Sequence, residues 1–196
     1  GEGGLLMPRM IAVGDLDLDE KLGAALDPLG AADIPPSCDP VRRWLTLDRL
    51  IAEERASEGM DPLPGRARLN LAREMARTMD RLLVEEKSFE DLLGEAVRDS
   101  VAGLASHWER SIRLFARVNV RWQLELAGLG QVDAATRRNL LFDHAARRWK
   151  DGPPPHPVIA AGVTSASPAL ARLLRVVAGL PQGAVVLPDL DLAMDD

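Results

Sequence analysis

Few residues in this chain could form cross-links or bind metal ions. Among 196 residues there is one cysteine, Cys38, which excludes an internal disulfide and fits a reducing compartment. Cys38 has no CxxC partner, and the three histidines, His107, His144 and His156, share no ligand spacing. We therefore expect neither a zinc site nor any other cofactor in this chain.

Long apolar runs are also missing, and with them a membrane-spanning helix, which needs about 20 such residues. The net charge is −6, which argues against a free-standing nucleic-acid binder, although basic stripes can coexist with an acidic total. The chain opens with Gly1 rather than methionine and lacks a signal-type leader. We expect this opening to be an interior segment or a flexible link.

No constellation of catalytic type stands out. No serine lies in a nucleophile elbow, and no carboxylate pair separates from the general charge. Asp15, Asp17 and Asp19 match the first three ligand positions of a calcium loop, but Glu20 replaces its glycine and Leu26 its bidentate glutamate. These acidic residues are typical of a solvated turn at the start of a helix.

The last forty residues have the pattern of a strand, a helix and a second strand. Apolar runs at Val158–Ala161 and Ala184–Leu187 predict two strands buried on both faces, and Pro168–Ala178 between them predicts a helix with Ser167 as its N-cap. A helix that joins two such strands predicts parallel pairing with a right-handed crossover. A parallel sheet needs further strands, so the unit is typical of part of a larger α/β protein.

The loop after the first predicted strand is where open α/β sheets bind ligands. Here it spans Gly162–Ser167 and contains neither lysine nor carboxylate. One glycine and a few hydroxyls cannot hold a nucleoside triphosphate with its magnesium ion. The sequence therefore predicts a nucleotide-hydrolase type of fold without the chemistry, so no catalytic site is expected in this chain.

The rest of the chain has the helical period of apolar residues. Leu5–Val13 is a candidate edge strand, followed by an acidic turn and a loop up to Pro40. The helices predicted after it are Pro40 to about Gly59, Arg66–Glu86, Val97–Gly128 and Ala134–Lys150. The predicted organisation is a lead-in at 1–39, a helical subdomain at 40–155 and the βαβ part of a sheet at 156–196.

Two rows of arginines are the candidate nucleic-acid contacts. One row lies on the second predicted helix and the other on the third; their members are Arg66, Arg73 and Arg77, and Arg110, Arg113, Arg117 and Arg121. A row of this kind can follow a phosphate backbone. The alternative is a solvated face whose arginines pair with nearby glutamates. The four tryptophans fall in helical stretches and are typical of packing rather than of base stacking.

Several short blocks, in the same order along nearly the whole chain, resemble the N-terminal region of the bacterial AddB family. These blocks are Leu5-Leu6-Met7-Pro8-Arg9 with Gly14-Asp15-Leu16-Asp17; Pro35-Pro36 with Arg42-Arg43; Trp108, Trp122 and Arg137-Arg138-Asn139; Pro157 to Gly162; and Leu180 to Pro188 with Asp191. The most specific are the last two, Ala160-Ala161-Gly162 and Leu180-Pro181-Gln182-Gly183-Ala184-Val185-Val186-Leu187-Pro188. AddB is the B subunit of the AddAB helicase–nuclease, which processes double-strand DNA breaks for recombination.

The resemblance implies a helicase-like, RecA-like domain with a helical subdomain inserted in its parallel sheet, and no working motor. It also implies a cytoplasmic DNA-repair role: holding an AddA-type helicase–nuclease subunit, guiding DNA and recognising a regulatory sequence. The family's phosphate-loop-like strand would precede Leu5, and its nuclease domain and iron–sulfur cysteines would follow the chain. Cys38 matches none of those cysteines.

Two other classes of function stay open from the sequence. One is a stand-alone helical regulator that binds proteins, and the other is an active nucleotide hydrolase. An open reading frame of about 200 residues starting near Met7 would favour the stand-alone regulator, because a complete domain should not leave its sheet edges bare.

Overall fold

The computed structural model describes residues 10, 12, 19–27, 33–89 and 105–188, and within them the chain forms six helices and two strands. In chain order these are α1 Asp19–Leu26, α2 Pro40–Ser57, α3 Gly65–Val84, α4 Ala105–Leu129, α5 Ala134–Asp151, β1 Val158–Ala161, α6 Pro168–Ala178 and β2 Gly183–Val186. The mostly helical composition and the C-terminal βαβ unit agree with the sequence prediction.

Local sequence explains where the helices begin. Asp39 caps α2 by accepting the Arg42 amide at 2.8 Å, and Pro40 occupies the first turn, where its missing N–H costs nothing. Ser167 and Pro168 occupy the same positions at the start of α6. Asp133 stands at the N-cap position of α5 but makes no capping hydrogen bond. Its carboxylate is turned instead toward the helix bundle.

Two hydrophobic cores lie along the chain. The first joins α2, α3 and α4, and Leu47, Leu50, Ile51, Val118 and Trp122 are almost fully buried there. The second joins α1, α5 and α6 with the inner side of the sheet. Helix α5 also packs against α3, and the Asn139 amide donates to the Leu83 carbonyl at 2.8 Å, which ties the two cores together.

The sheet has the predicted parallel pairing, with α6 as the connection between its strands. Val158 pairs with Gly183 and Ala161 with Val186, so β2 is shifted one residue toward the N-terminus from the predicted Ala184–Leu187. The prediction that both faces are buried was wrong for the described residues. Helix α6 covers one face only, so that Ile159 is 67% and Val186 54% exposed on the other.

Helix α1 was missed by the sequence reasoning, which placed a loop between the acidic turn and Pro40. It is eight residues long and contains Gly23, so its local helix signal is weak. Packing stabilises it instead, because it lies against α5 and buries Leu26 in the second core. The expected strand at Leu5–Val13, apart from Met10 and Ala12, lies outside the described residues. So do residues 97–104 of the third predicted helix and two of the acidic residues, Asp15 and Asp17.

Candidate nucleic-acid interface

The loop from β1 to α6 lies at the carboxyl end of the sheet, where α/β folds bind ligands. Gly162 has φ +73°, which lets the chain turn sharply out of β1. Beyond it the loop presents Thr164 and Ser165 to solvent, while the Ser167 hydroxyl is buried and has no hydrogen-bond partner among the described residues. The side chains of this loop carry no charge, so it offers nothing to neutralise a phosphate.

The arginine row on α4 divides into two parts. Arg121 Nη1 lies 2.9 Å from the Glu54 carboxylate and its Nη2 2.5 Å from Glu53, and Arg117 approaches Glu54 and Glu58 at 3.7 and 3.3 Å. Glu53 and Glu54 belong to α2 and Glu58 is its C-cap, so these arginines link the two helices. Arg110, nearer the start of α4, is exposed and has a partner of its own.

Arg113 is the accessible member of this row. It is exposed, and no partner for its guanidinium lies within the described part of the chain. The sequence predicted carboxylate partners from the same helix as the alternative to DNA contact. The structure instead supplies them from α2 to Arg117 and Arg121, because α2 and α4 pack side by side.

The row on α3 also divides. The Arg73 guanidinium lies over the Trp44 ring, 4.9 Å from its centroid, and Arg77 pairs with Glu74 one turn away at 2.5 Å. Arg66, in the first turn, is exposed and has no partner among the described residues. Arg66 and Arg113 are thus the two predicted contacts that carboxylates and aromatic rings of the described chain leave open.

Ion pairing with α2 also shifts the titration of the groups involved. The hydrogen bond to Arg121, and then that to Arg49, lowers the pKa of the Glu53 carboxyl below its usual range. Both arginines stay charged at any physiological pH. This surface is therefore a stable network of mixed charge, in which the glutamates offset much of the positive potential of the row.

A buried polar network was not foreseen from the sequence. The Arg43 guanidinium lies 2.6 Å from Asp80 and 3.1 Å from Asp133, and the Asp133 carboxylate accepts the Trp122 indole N–H at 2.9 Å. One signal could have revealed it: Arg43 precedes Leu47, Leu50 and Ile51 at helical spacing, so a charged residue stands in the buried stripe of α2. Its carboxylate partners come from α3 and the α5 cap, which no local pattern shows.

Among the described residues no cluster of three or more histidine, cysteine or acidic side chains could hold a metal ion. Cys38 is buried in the first core, and burial raises the pKa of its thiol. A raised pKa leaves less of the reactive thiolate, so Cys38 behaves as a small apolar residue there.

Comparison with known proteins identifies no relative. No family model, no curated protein and no solved structure matches this chain. In the portion of the chain that the structure covers, none of the helices has the length and apolar character needed to cross a membrane.

Proposed function

We propose that this chain is a non-catalytic, helicase-like part of a cytoplasmic subunit that repairs double-strand DNA breaks. In this role it guides DNA and helps to hold an AddA-type helicase–nuclease subunit. The motif blocks that resemble AddB support the proposal, and so does the uncharged loop after β1. The strongest support comes from the two-stranded sheet, because one of its apolar faces is exposed.

A two-stranded parallel sheet with one bare apolar face is not expected to be stable unless further structure covers that face. Parallel strands are found almost always in larger sheets covered on both faces. Here Ile159, Val186 and Leu187 are each more than half exposed. We infer that further strands of the parent subunit pair with the edges of this sheet, and that helices pack on its bare face, to complete a RecA-like domain.

The two arginine rows contribute to the proposal through Arg66 and Arg113. Contact of the rows with a DNA backbone begins at these two side chains, because they are exposed and free of described partners. Arg117 and Arg121 reach DNA only at the expense of their pairs with Glu53, Glu54 and Glu58. Their first role is to keep α4 on α2.

The bare sheet face can be tested in the parent helicase–nuclease complex. Ile159→Asp combined with Val186→Asp places two charges on the face that we expect to be buried, so the yield of assembled complex should fall at least about tenfold. Thr164→Asp, an exposed charge in the adjacent loop, is the matched control and should assemble normally. Normal assembly of the double variant would contradict the proposal.

One observation favours the alternative of a stand-alone protein-binding domain. Val41 and Leu45 on α2, and Val120 and Leu124 on α4, are 56–68% exposed and stand at i, i+4 spacing on each helix. Pairs of this kind are typical of a helix surface that docks a partner. Under this alternative the isolated chain would be stable with its sheet face bare, and the aspartate pair at 159 and 186 would change nothing.

A further inference from the structure

A groove of about 740 Å³ runs between the C-terminal halves of α5 and α6. Arg147 and Lys150 of α5 line one wall, Arg175 of α6 lines the other, and the Trp149 side chain lies among them. The groove is remote in sequence from both arginine rows. The sequence patterns proposed none of its cations as a nucleic-acid contact.

Three cations at this groove have no partner among the described residues. Arg147, Lys150 and Arg175 are exposed, and no ion pair or hydrogen bond to any of their side chains occurs within the described residues. Arg172, at the edge of the same groove, shows the contrast. Its guanidinium binds the Asp143 and Glu86 carboxylates, whose hydrogen bonds raise its pKa, so its charge is already offset.

The groove lies in the basic part of an acidic chain. Residues 134–188 contain seven lysines and arginines against two aspartates, whereas the whole chain has a net charge of −6. Charge asymmetry of this kind is typical of a surface that meets a polyanion. The remaining residues therefore carry the acidic excess, and the positive potential is concentrated around α5 and α6.

Helix dipoles explain the positions of only some of these cations. Both helices end at the groove, and Lys150 and Arg175 stand in last turns, where the negative end of the helix dipole favours a cation. Arg147 is a full turn before the end of α5 and gains little from this effect. The dipole also does not explain why Arg147, Lys150 and Arg175 stand around one groove without an ion-pair partner among the described residues.

Trp149 adds a second kind of contact. It packs against the second core with part of its surface and lines the groove with the rest. Half-exposed indole rings beside cations are the arrangement with which proteins stack a base while holding the adjacent phosphates. An acidic peptide would use the cations but has no need of the indole.

We propose that this groove binds single-stranded nucleic acid, with Arg147, Lys150 and Arg175 on its phosphates and Trp149 against a base. The proposal deepens the function proposed above, since it names the surface and the form of DNA that is guided. Recognition is tolerant of sequence, because stacking and phosphate contacts are available to every nucleotide. The net negative charge keeps the affinity low at physiological salt.

Fluorescence anisotropy with a labelled 20-nucleotide oligo(dT) and the full chain, at about 20 mM salt, tests the cations. Replacing Arg147, Lys150 and Arg175 together with alanine should weaken binding at least about tenfold. It should also reduce the slope of log K against log salt by about 2, or about 0.7 per lost phosphate contact. An unchanged affinity, or no binding by the parent chain at about 100 μM, would overturn the proposal.

A matched triple variant separates this groove from the arginine rows. Arg42→Ala, Arg66→Ala and Arg113→Ala remove the same charge from exposed sites on α2, α3 and α4. Because the proposed function gives Arg66 and Arg113 phosphate contacts, we expect this variant to weaken binding as well, but at least about threefold less than the groove variant does, since the α2 glutamates offset part of the potential there. If this variant loses affinity and the groove variant keeps it, DNA follows the rows, which leaves the proposed function standing and removes the groove.

The indole is tested with a conservative pair. Trp149→Phe keeps a ring and should bind within about twofold of the parent, whereas Trp149→Leu keeps an apolar side chain close to phenylalanine in size but loses the stacking surface, and it should bind at least about fivefold more weakly. Equal affinities for the two variants would overturn the stacking contact. Competition by a 20-residue polyglutamate as effective as that by oligo(dT) would identify an acidic peptide as the ligand instead. Thermal melts followed by circular dichroism establish that each variant is folded.

Discussion

At the scale of single residues, Arg43 connects more of the molecule than any other charged side chain described above. It extends from α2 to Asp80 of α3 and to Asp133 at the start of α5, and its guanidinium also lies 5.9 Å from the centroid of the Trp122 ring. Arg43 and Asp133 are both more than nine-tenths buried. Arg43 is the cation that both Asp133 and the partly buried Asp80 contact, so its charge offsets theirs.

Removing Arg43 should therefore be costly. We expect Arg43→Ala to lower the free energy of unfolding by about 3–5 kcal/mol, because it leaves Asp133 charged and uncompensated in the interior. Arg42→Ala, at the exposed neighbouring position, is the control and should change it by less than about 0.5 kcal/mol. Urea unfolding measures both. A loss below about 1 kcal/mol for Arg43→Ala would show that the network contributes little.

Asp80 gives the network a pH dependence of defined sign. Burial raises the pKa of Asp80, and this outweighs the nearby Arg43 guanidinium, which lowers it. The folded state thus holds a proton at a pH where the unfolded chain has released it. The stability that this proton provides is complete below the ordinary aspartate pKa of about 3.9 and is lost as the pH rises through the raised value.

Asp80→Asn should abolish the loss of stability that accompanies the deprotonation of Asp80 as the pH rises. Relative to the parent chain, the variant should become progressively more stable as the pH rises from about 4 toward neutrality, since asparagine does not titrate. Subtracting the parent's urea-unfolding free energies at each pH cancels the titration of other carboxylates, including Glu53. A difference that stays constant over this range, or that falls with pH, would contradict the assignment.

At the scale of elements, the connection from α6 to β2 leaves almost no free space. A Cβ atom built on Gly183 would lie 1.9 Å from the Val177 carbonyl oxygen and 2.8 Å from the Leu180 Cβ. Gly183 is also the first residue of β2 and pairs with Val158 of β1. The absence of a side chain at this position is what lets α6 turn directly into the sheet.

Substitution of this glycine should disrupt the unit. We expect Gly183→Ala to cost about 2–4 kcal/mol of unfolding free energy, because the contacting atom is backbone and cannot move away cheaply. Gly128→Ala, in α4 with nothing within 4 Å of the added Cβ, should be neutral or should stabilise by up to about 1 kcal/mol. Equal effects of the two substitutions in thermal or urea unfolding would refute the close approach.

The sequence predicts those elements whose bounds are set by neighbouring residues, and it does not predict those that depend on packing against distant parts of the chain. The bounds of α2, α5, β1 and α6 follow from caps, prolines and apolar period, and they were predicted to within two residues. Helix α1 depends on its packing against α5, and the bare face of the sheet depends on what surrounds it, so neither has a local signature. The same holds for the candidate sites: the arginine rows are periodic and visible, whereas the α5–α6 groove arises from two helices packing together.

At the scale of the whole molecule, charge is sorted between two surfaces. Around α2 and α4 most of the arginines form ion pairs with glutamates. These pairs link the helices and lower the positive potential that would attract a polyanion. Around α5 and α6 the lysines and arginines outnumber the carboxylates, and Arg147, Lys150 and Arg175 have no ion-pair partner among the described residues. We infer that the molecule meets nucleic acid mainly with the second surface, and that the ion pairs of the first surface hold its helices together while Arg66 and Arg113 add exposed positive charge.

We propose above all that this chain binds DNA without binding or hydrolysing ATP. The most direct test is the dissociation constant of the full chain for a 20-nucleotide oligo(dT) at about 20 mM salt, measured with and without ATP and magnesium. We predict micromolar binding that is the same in both conditions within about twofold and weakens steeply as salt is added. A dissociation constant that shifts about tenfold with ATP, or the absence of binding at about 100 μM chain, would contradict the claim.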